Sequence, residues 1–220
     1  MKKVLIVGGS RGIGLELAKQ YKQRGFNVFV TCRKSTNELS SLDINIIEDV
    51  EVTSLESLKA ARKKLESHEF DILIHNAGIL SNESLNDLDF ERIEKQFQVN
   101  SLGPLKSIST FKDLLGSGAR VGILSSRMGS VEDNGSGGMY GYRMSKSACN
   151  MVGRSLAYDL APNNISVAIL HPGYVRTDMT SHQGNIDPSE SARGLIAIMD
   201  KLNVKNSGHF WHTNGENLPW

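Results

Sequence analysis

Three observations predict a single α/β domain: one doubly wound parallel sheet of about seven strands with helices on both faces. Short apolar runs alternate strictly with longer amphipathic stretches. Most of the runs are rich in β-branched residues, the pattern of strands buried on both faces. The first run opens directly into a glycine-rich turn and a helical stretch.

The strand runs are Val4–Val7, Val28–Thr31, Ile44–Ile47, Phe70–His75, Arg120–Leu124, Ile165–Leu170 and Gly208–His212. The helical stretches are Gly12–Arg24, with Ile13, Leu17 and Tyr21 along one face, then Leu55–Leu65, a long one over Phe90–Leu115, Tyr140–Leu160 and Pro188–Leu202. The patch Asn134-Gly135-Ser136-Gly137-Gly138 reads as a loop between strand and helix, because a linker there would cut the alternation in half. No repeat, charge block or Pro/Ser-rich segment divides the chain, so residues 1–220 are expected to form one domain.

Composition narrows the function classes. Hydrophobic residues make up 39% of the 220, enough for a core. The 25 Lys+Arg balance the 24 Asp+Glu, which gives no footprint for nucleic acid or for an anionic membrane surface. Cys32 and Cys149 lie far apart with no metal-ligand spacing, so two reduced, buried thiols are expected and no metal site. Val4–Val7 is too short for the roughly 7–15-residue core of a signal peptide. No stretch approaches the roughly 20 apolar residues of a membrane-spanning helix, so the cytoplasm is the default location.

The first turn, Gly8-Gly9-Ser10-Arg11-Gly12-Ile13-Gly14, joins a strand to a helix. Glycines let the backbone approach a pyrophosphate, and the helix N-terminus offers free N–H groups and a positive dipole end. The context is that of a Rossmann-type dinucleotide site, although the spacing is not GxGxxG. In such folds a residue roughly 20 positions past the glycines meets the adenosine ribose. Here that offset lands on Arg33 and Lys34. Two cations favour a 2′-phosphate where a carboxylate would repel it. Arg11 closes the same pocket from the other side, and the expected cofactor is NADP(H).

Tyr142 and Lys146 are four residues apart, on one face of a helix. Tyrosine, with a reference pKa of about 10, is a poor proton shuttle near neutrality, and a neighbouring cation favours the phenolate. Ser125 and Ser126 follow the Val121–Leu124 run, and Asn76-Ala77-Gly78 follows the Asp71–Ile74 run. Both lie at the strand ends where parallel sheets place ligands.

In this order and spacing, Gly8/Gly12/Gly14, Asp49-Val50, Asn76-Ala77-Gly78, Asn100, Ser126, Tyr142/Lys146 and Pro172-Gly173 with Thr177 resemble the short-chain dehydrogenase/reductase family over essentially the whole chain. Within it, Ser125–Ser130, Gly137–Arg143 and His171–Met179 are similar to the sniffer-type carbonyl reductases and the C-factor signalling proteins. The resemblance implies a role for each residue. Tyr142 is the general acid, Lys146 assists it and holds the nicotinamide ribose, and Ser126 orients the carbonyl. Asn100, within the long helix, positions a water linking Lys146 to a proton relay. Asp49 and Val50 flank the adenine. Asn76, Ala77 and Gly78 line the adenine-side ribose and brace the sheet. Thr177 binds the carboxamide, within a cofactor-binding stretch that includes Pro172, Gly173 and Val175.

The chain departs from the family pattern in several places. Val7 stands where the family has Thr, and His75 precedes Asn76-Ala77-Gly78 as a packed strand-end residue. Tyr142 follows Ser126 at a slightly lengthened spacing, which leaves Ser125 as an alternative to Ser126. The added residues fall in Asp133–Gly138, expected to overhang the pocket. Tyr140 competes with Tyr142 on paper, but only Tyr142 has a lysine four residues on.

Residues 178–187 form the substrate lid. Their Gly and polar content predicts disorder when empty and a permissive pocket for an aldehyde, ketone or quinone. The expected activity is NADPH-dependent carbonyl reduction. The alternative is an NADP(H)-binding signalling or redox-sensing protein that acts through partners. By analogy with the family, a homodimer or homotetramer is expected.

Overall fold

The computed structural model describes residues 1–220. Seven strands form one sheet: β1 (Lys3–Val7), β2 (Asn27–Thr31), β3 (Asn45–Ile47), β4 (Phe70–His75), β5 (Leu115–Leu124), β6 (Ser166–His171) and β7 (His209–His212). Every pairing is parallel, in the order β3-β2-β1-β4-β5-β6-β7. Winding proceeds one way from β1 to β3 and the other way from β4 to β7. The reversal lies between β1 and β4, where open α/β sheets bind ligands.

Helices cover both faces. On one side α3 (Leu55–Leu65), α5 (Gly103–Phe111) and α6 (Tyr140–Asp159) pack Leu58, Ile108, Phe111 and Cys149 against Leu5, Leu73 and Val121. On the other, α1 (Gly12–Gln23) and α7 (Pro188–Lys201) pack Leu17, Tyr21, Leu195 and Met199 against Val4, Ile6 and Ile74. Alternate residues of one strand thus serve opposite cores, which is why Val4–Val7 reads as an unbroken apolar run.

Two helices differ from expectation. The stretch read as one helix over Phe90–Leu115 is α4 (Phe90–Phe97), a π-helical turn over Gln98–Leu102, α5, a 3₁₀ turn over Lys112–Leu114, and then the start of β5. Gly103 N–H donates to Gln98 O, one residue further back than an α-helix allows. A short helix, α2 (Asn37–Ser40), is also present; it is capped by Thr36, whose hydroxyl accepts Leu39 N–H at 3.2 Å. Its four residues are too few to show a period.

α6 lies close on the sheet at Gly153, where a Cβ would collide with Ile169 Cγ1 and stand 3.5 Å from Ile123 Cδ1. Gly153→Val is expected to destabilise the fold by about 1–3 kcal/mol through overpacking. Urea unfolding of the purified variant measures it, and an unchanged midpoint would contradict this packing.

Candidate active site

The carboxyl ends of β1, β4, β5 and β6 open into one cleft of about 1150 Å³, larger than the roughly 300–1,000 Å³ of most small-ligand pockets. Gly8, Ser10, Arg11, Gly12 and Ile13 line one end, and Tyr142, Lys146 and Leu124 line the chemical end. Asn76, Ala77 and Gly78 form part of the wall, as do Pro172 and Thr177.

The glycine turn admits no side chains where it matters. Gly8 has φ +85°, and a Cβ on it would stand 2.8 Å from the Ala77 backbone. A Cβ on Gly14 would stand 2.5 Å from Gly8 O and 2.6 Å from Asn76 Nδ2. Gly14 therefore packs the helix against the turn, behind the wall. Asn76 Nδ2 donates to Gly8 O at 2.6 Å and ties the two strand ends together. The first turn of α1 carries no acidic residue and no side-chain cap, so its N–H groups stay available to an anion.

Of the two cations after β2, Arg33 lines the cleft and has no carboxylate partner, whereas Lys34 is exposed outside the wall. Arg11 Nη1 pairs with Asp178 Oδ2 at 3.1 Å, linking the glycine turn to the start of the 178–187 segment. Val50 lines the cleft. Asp49 lies outside the wall, in a left-handed conformation at φ 64° that turns the chain after β3. Gly173 and Val175 also lie outside it; Gly173 turns the chain at φ +86°, and Val175 bridges Ile186.

At the chemical end, the Tyr142 hydroxyl makes no hydrogen bond within the chain and belongs to the cleft wall. Lys146 is 5% exposed; its Nζ donates to Leu124 O at 3.0 Å and lies 5.8 Å from the Tyr142 ring centroid. An ammonium has three donors, so the others remain for a ligand. Gly78 lets two polar groups converge, since a Cβ there would meet Asn100 Oδ1 at 3.3 Å and Lys146 Nζ at 3.5 Å. Asn100 lies in the π-helical turn rather than in a continuous helix. Its Oδ1 accepts Ile79 N–H at 2.8 Å, and its Nδ2 donates to Ile79 O at 2.9 Å and to Ser145 Oγ at 3.0 Å.

The two serines differ in what their hydroxyls have left to give. Ser125 Oγ donates to Asn150 Oδ1 at 2.5 Å and lies 3.3 Å from Lys146 O. Ser126 Oγ only accepts, from Met128 N–H at 3.2 Å, so its own proton is uncommitted. Ser125 is the one that contributes to the main cleft wall; Ser126 lies at the strand end just beyond.

Two groups missed in the sequence support this end. Asn150 holds Ser125 and donates to Gly129 O at 3.2 Å, and Ser145 joins Asn100 to Tyr142 O. Both lie on the buried side of α6, where a polar residue on an otherwise apolar face is the available signal.

Asp133–Gly138 does not overhang the cleft. Arg127 pairs with Asp133 at 2.6 Å, while Arg143 donates to Ser136 Oγ at 2.8 Å and Gly137 O at 3.3 Å, holding the loop against the start of α6. Bonds within the chain hold residues 178–187 in place. Asp178–Thr180 forms a 3₁₀ turn, Val175 bridges Ile186, and Arg176 binds Asp187 at 2.8 Å and Gly184 O at 2.8 Å. Composition did not show these bonds, which come from residues flanking the polar stretch.

A crevice at the sheet's reversal point, continuous with a free phenol beside a buried ammonium, suits a nucleotide-dependent α/β oxidoreductase. The chain belongs to the short-chain dehydrogenase family, whose profile matches residues 2–186. It is 40% identical over 226 residues, the full length of both chains, to 1-hydroxy-2-glutathionyl-2-methyl-3-butene dehydrogenase of Rhodococcus sp. (strain AD45). It is 41% identical over 153 residues to the C-signal of Myxococcus xanthus, covering 68% of this chain and 92% of that one. Among solved structures it is similar to the carbonyl reductase Sniffer of D. melanogaster, with TM-score 0.90, 28% identity and full coverage of both chains. A Burkholderia multivorans short-chain dehydrogenase/reductase with bound NADP matches with TM-score 0.93 at 28% identity, over 100% of this chain and 99% of that one.

His75 is wholly buried with Nε2 unpartnered, and burial, with Lys146 adding to it, lowers its pKa to about 3 from 6.5. Protons therefore bind the unfolded chain first, and stability is full above pH 6.5 and falls as pH drops toward 3. The slope within that window is at most about 1.4 kcal/mol per pH unit for this residue. His75→Asn is expected to flatten the decline in melting temperature between about pH 7 and about pH 5. A decline as steep as that of the parent chain would exclude His75 as its source.

Proposed function

We propose that the chain is an NADPH-dependent carbonyl reductase. The observation that carries this reading is the unbonded Tyr142 hydroxyl in the cleft wall, with Lys146 Nζ 5.8 Å from its ring. Tyr142 delivers the proton to the carbonyl oxygen. The Lys146 ammonium favours the negative charge that develops on the phenol, and its free donors hold the ribose. Ser126 gives its uncommitted O–H to the carbonyl oxygen. Asn100 holds a water between Lys146 and the relay, since its Oδ1 and Lys146 Nζ face the same glycine. When bound, the nicotinamide supplies the hydride.

NADP(H) fits the residues present: a glycine turn packed closely against Ala77 and Asn76, uncapped helix N–H groups, and the unpaired Arg33 for a 2′-phosphate. The NADP-bound neighbour supports the same choice. Thr177 takes the carboxamide and Val50 packs on the adenine. Substrates are aldehydes, ketones or quinones. The Rhodococcus relative, named for an alcohol carrying a glutathionyl group, adds the reverse oxidation of such alcohols to the panel. Similarity to the C-signal favours a second reading, an NADP(H)-binding signalling protein, and turnover separates the two. Exposed Phe90 on α4 and Met151 on α6, both outside the cleft wall, support pairing of two chains there, and the unpaired buried thiols suit the cytoplasm.

Tyr142→Phe is expected to cut carbonyl turnover by about 10²–10⁴-fold while NADPH affinity stays within a factor of about two. Unchanged turnover would end this mechanism. Arg33→Asp is expected to weaken NADPH far more than NADH, read by fluorescence titration. Equal losses for both cofactors would remove the 2′-phosphate assignment.

A further inference from the structure

The reactive helix begins without a cap of its own. Its N-cap residue is Met139, whose side chain accepts no N–H bond, and α6 has no acidic residue in its first turn. Gly137, Gly138 and Met139 enter it with φ of 65°, 63° and 50°, three left-handed residues in succession. The exposed N–H groups of a helix start must find acceptors elsewhere.

They find them on Glu83, from the loop after β4. Glu83 O accepts Met139 N–H at 2.7 Å, and Glu83 Oε2 accepts Gly141 N–H at 3.3 Å. The other carboxyl oxygen, Oε1, accepts Ser81 Oγ at 2.5 Å and Gln96 Nε2 at 2.9 Å. Gln96 of α4, itself 0% exposed, accepts Ser81 N–H at 3.0 Å through Oε1. Every partner of the carboxyl group is a donor, as an ionised carboxylate requires. Glu83 is 4% exposed and forms no ion pair, so hydrogen bonds and the positive end of α6 hold its charge.

We propose that Glu83 is a positioning residue for the reaction: its carboxylate caps α6 and fixes where Tyr142 stands relative to Lys146. This rests on the reading of Tyr142 as proton donor. Tyr142 is the residue after Gly141, the amide that Glu83 holds. Lys146 is anchored independently, one turn on, by Leu124 O. The spacing of phenol and ammonium therefore depends on the order of the first turn, the part of a helix that frays. Gly141 sets the clearance on the other side, since a Cβ there would collide with Gln96 Nε2 and lie 3.0 Å from Ile93 Cα. A buried carboxylate without a cation is costly, and merely closing a surface loop does not require one.

The test compares Glu83→Ala and Glu83→Gln in the full chain, reading kcat on an aldehyde turned over by the parent, NADPH affinity by fluorescence, and amide exchange at Gly141. Glu83→Ala is expected to lower kcat by about tenfold or more and to speed Gly141 exchange, with NADPH affinity within about twofold. Glu83→Gln keeps an acceptor oxygen and is expected to recover kcat to within about threefold of the parent. Should Glu83→Ala fail to fold, Ser81→Ala and Gln96→Ala each remove one donor and are expected to lower kcat without changing NADPH affinity. Parent-like kcat in Glu83→Ala, or in both donor variants, would overturn the proposal. Equal loss of kcat and of NADPH binding would do so too, by reducing Glu83 to a general structural role. A parent chain that turned over no carbonyl would instead sink the reductase reading, and the positioning role with it, so the two failures are distinct.

Discussion

The close approach of β1 and β4 where the sheet reverses its winding is the constraint on which the cleft depends. Gly8 and Ala77 meet there at a distance that leaves no room for a Cβ, and Asn76 Nδ2 bridges to Gly8 O at 2.6 Å. Parallel pairing of every strand places all the carboxyl ends on one edge. Segments following β1, β4, β5 and β6, far apart in sequence, therefore converge on one crevice. Splaying β1 from β4 would open the glycine turn and shift Gly78, against which Asn100 and Lys146 pack, so both ends of the site share one seam.

The two ends are held differently. At the cofactor end the fixed parts are backbone, and the charged side chains are exposed. The Arg11–Asp178 pair, at 68% and 57% side-chain exposure, is worth about 1 kcal/mol or less. At the chemical end most polar groups are buried and bonded to chain partners; the Tyr142 hydroxyl, the remaining donors of Ser126 and Lys146, and the buried His75 Nε2 and His171 Nδ1 are not. Preorganisation of this kind removes reorganisation from the chemical step.

The sheet was legible because burial on both faces writes each strand as a short β-branched run. The proximity of Tyr142 and Lys146 in the candidate site was legible because helical spacing fixes it. Other features depend on contacts without a local signature. The π-helical turn at Asn100 has helical composition throughout, and only the bond from Gly103 N–H to Gln98 O distinguishes it. The order of residues 178–187 comes from Arg176 and Val175, just before that stretch. What separates Ser125 from Ser126 is Asn150, which takes the Ser125 proton from a distant position on α6 and has no local signature in the sequence. Glu83 looks like one more loop carboxylate until the fold buries it beneath a helix start.

Two buried charges of opposite sign thus bracket the first turn of α6, and neither is neutralised by an ion pair. Lys146 rests on a strand-end carbonyl, and Glu83 rests on a helix-start amide and two neutral side chains. Paired with each other they would be a structural salt bridge, with little charge left to act on a third group. Kept apart and bound to fixed dipoles, each stays oriented toward the turn that carries Tyr142. The backbone anchors make this arrangement rigid, because a carbonyl of β5 and an amide of α6 shift only if the sheet or the helix does. In the proposed mechanism Tyr142, itself buried at the start of α6, serves as the acid through the fixed positions of these neighbours.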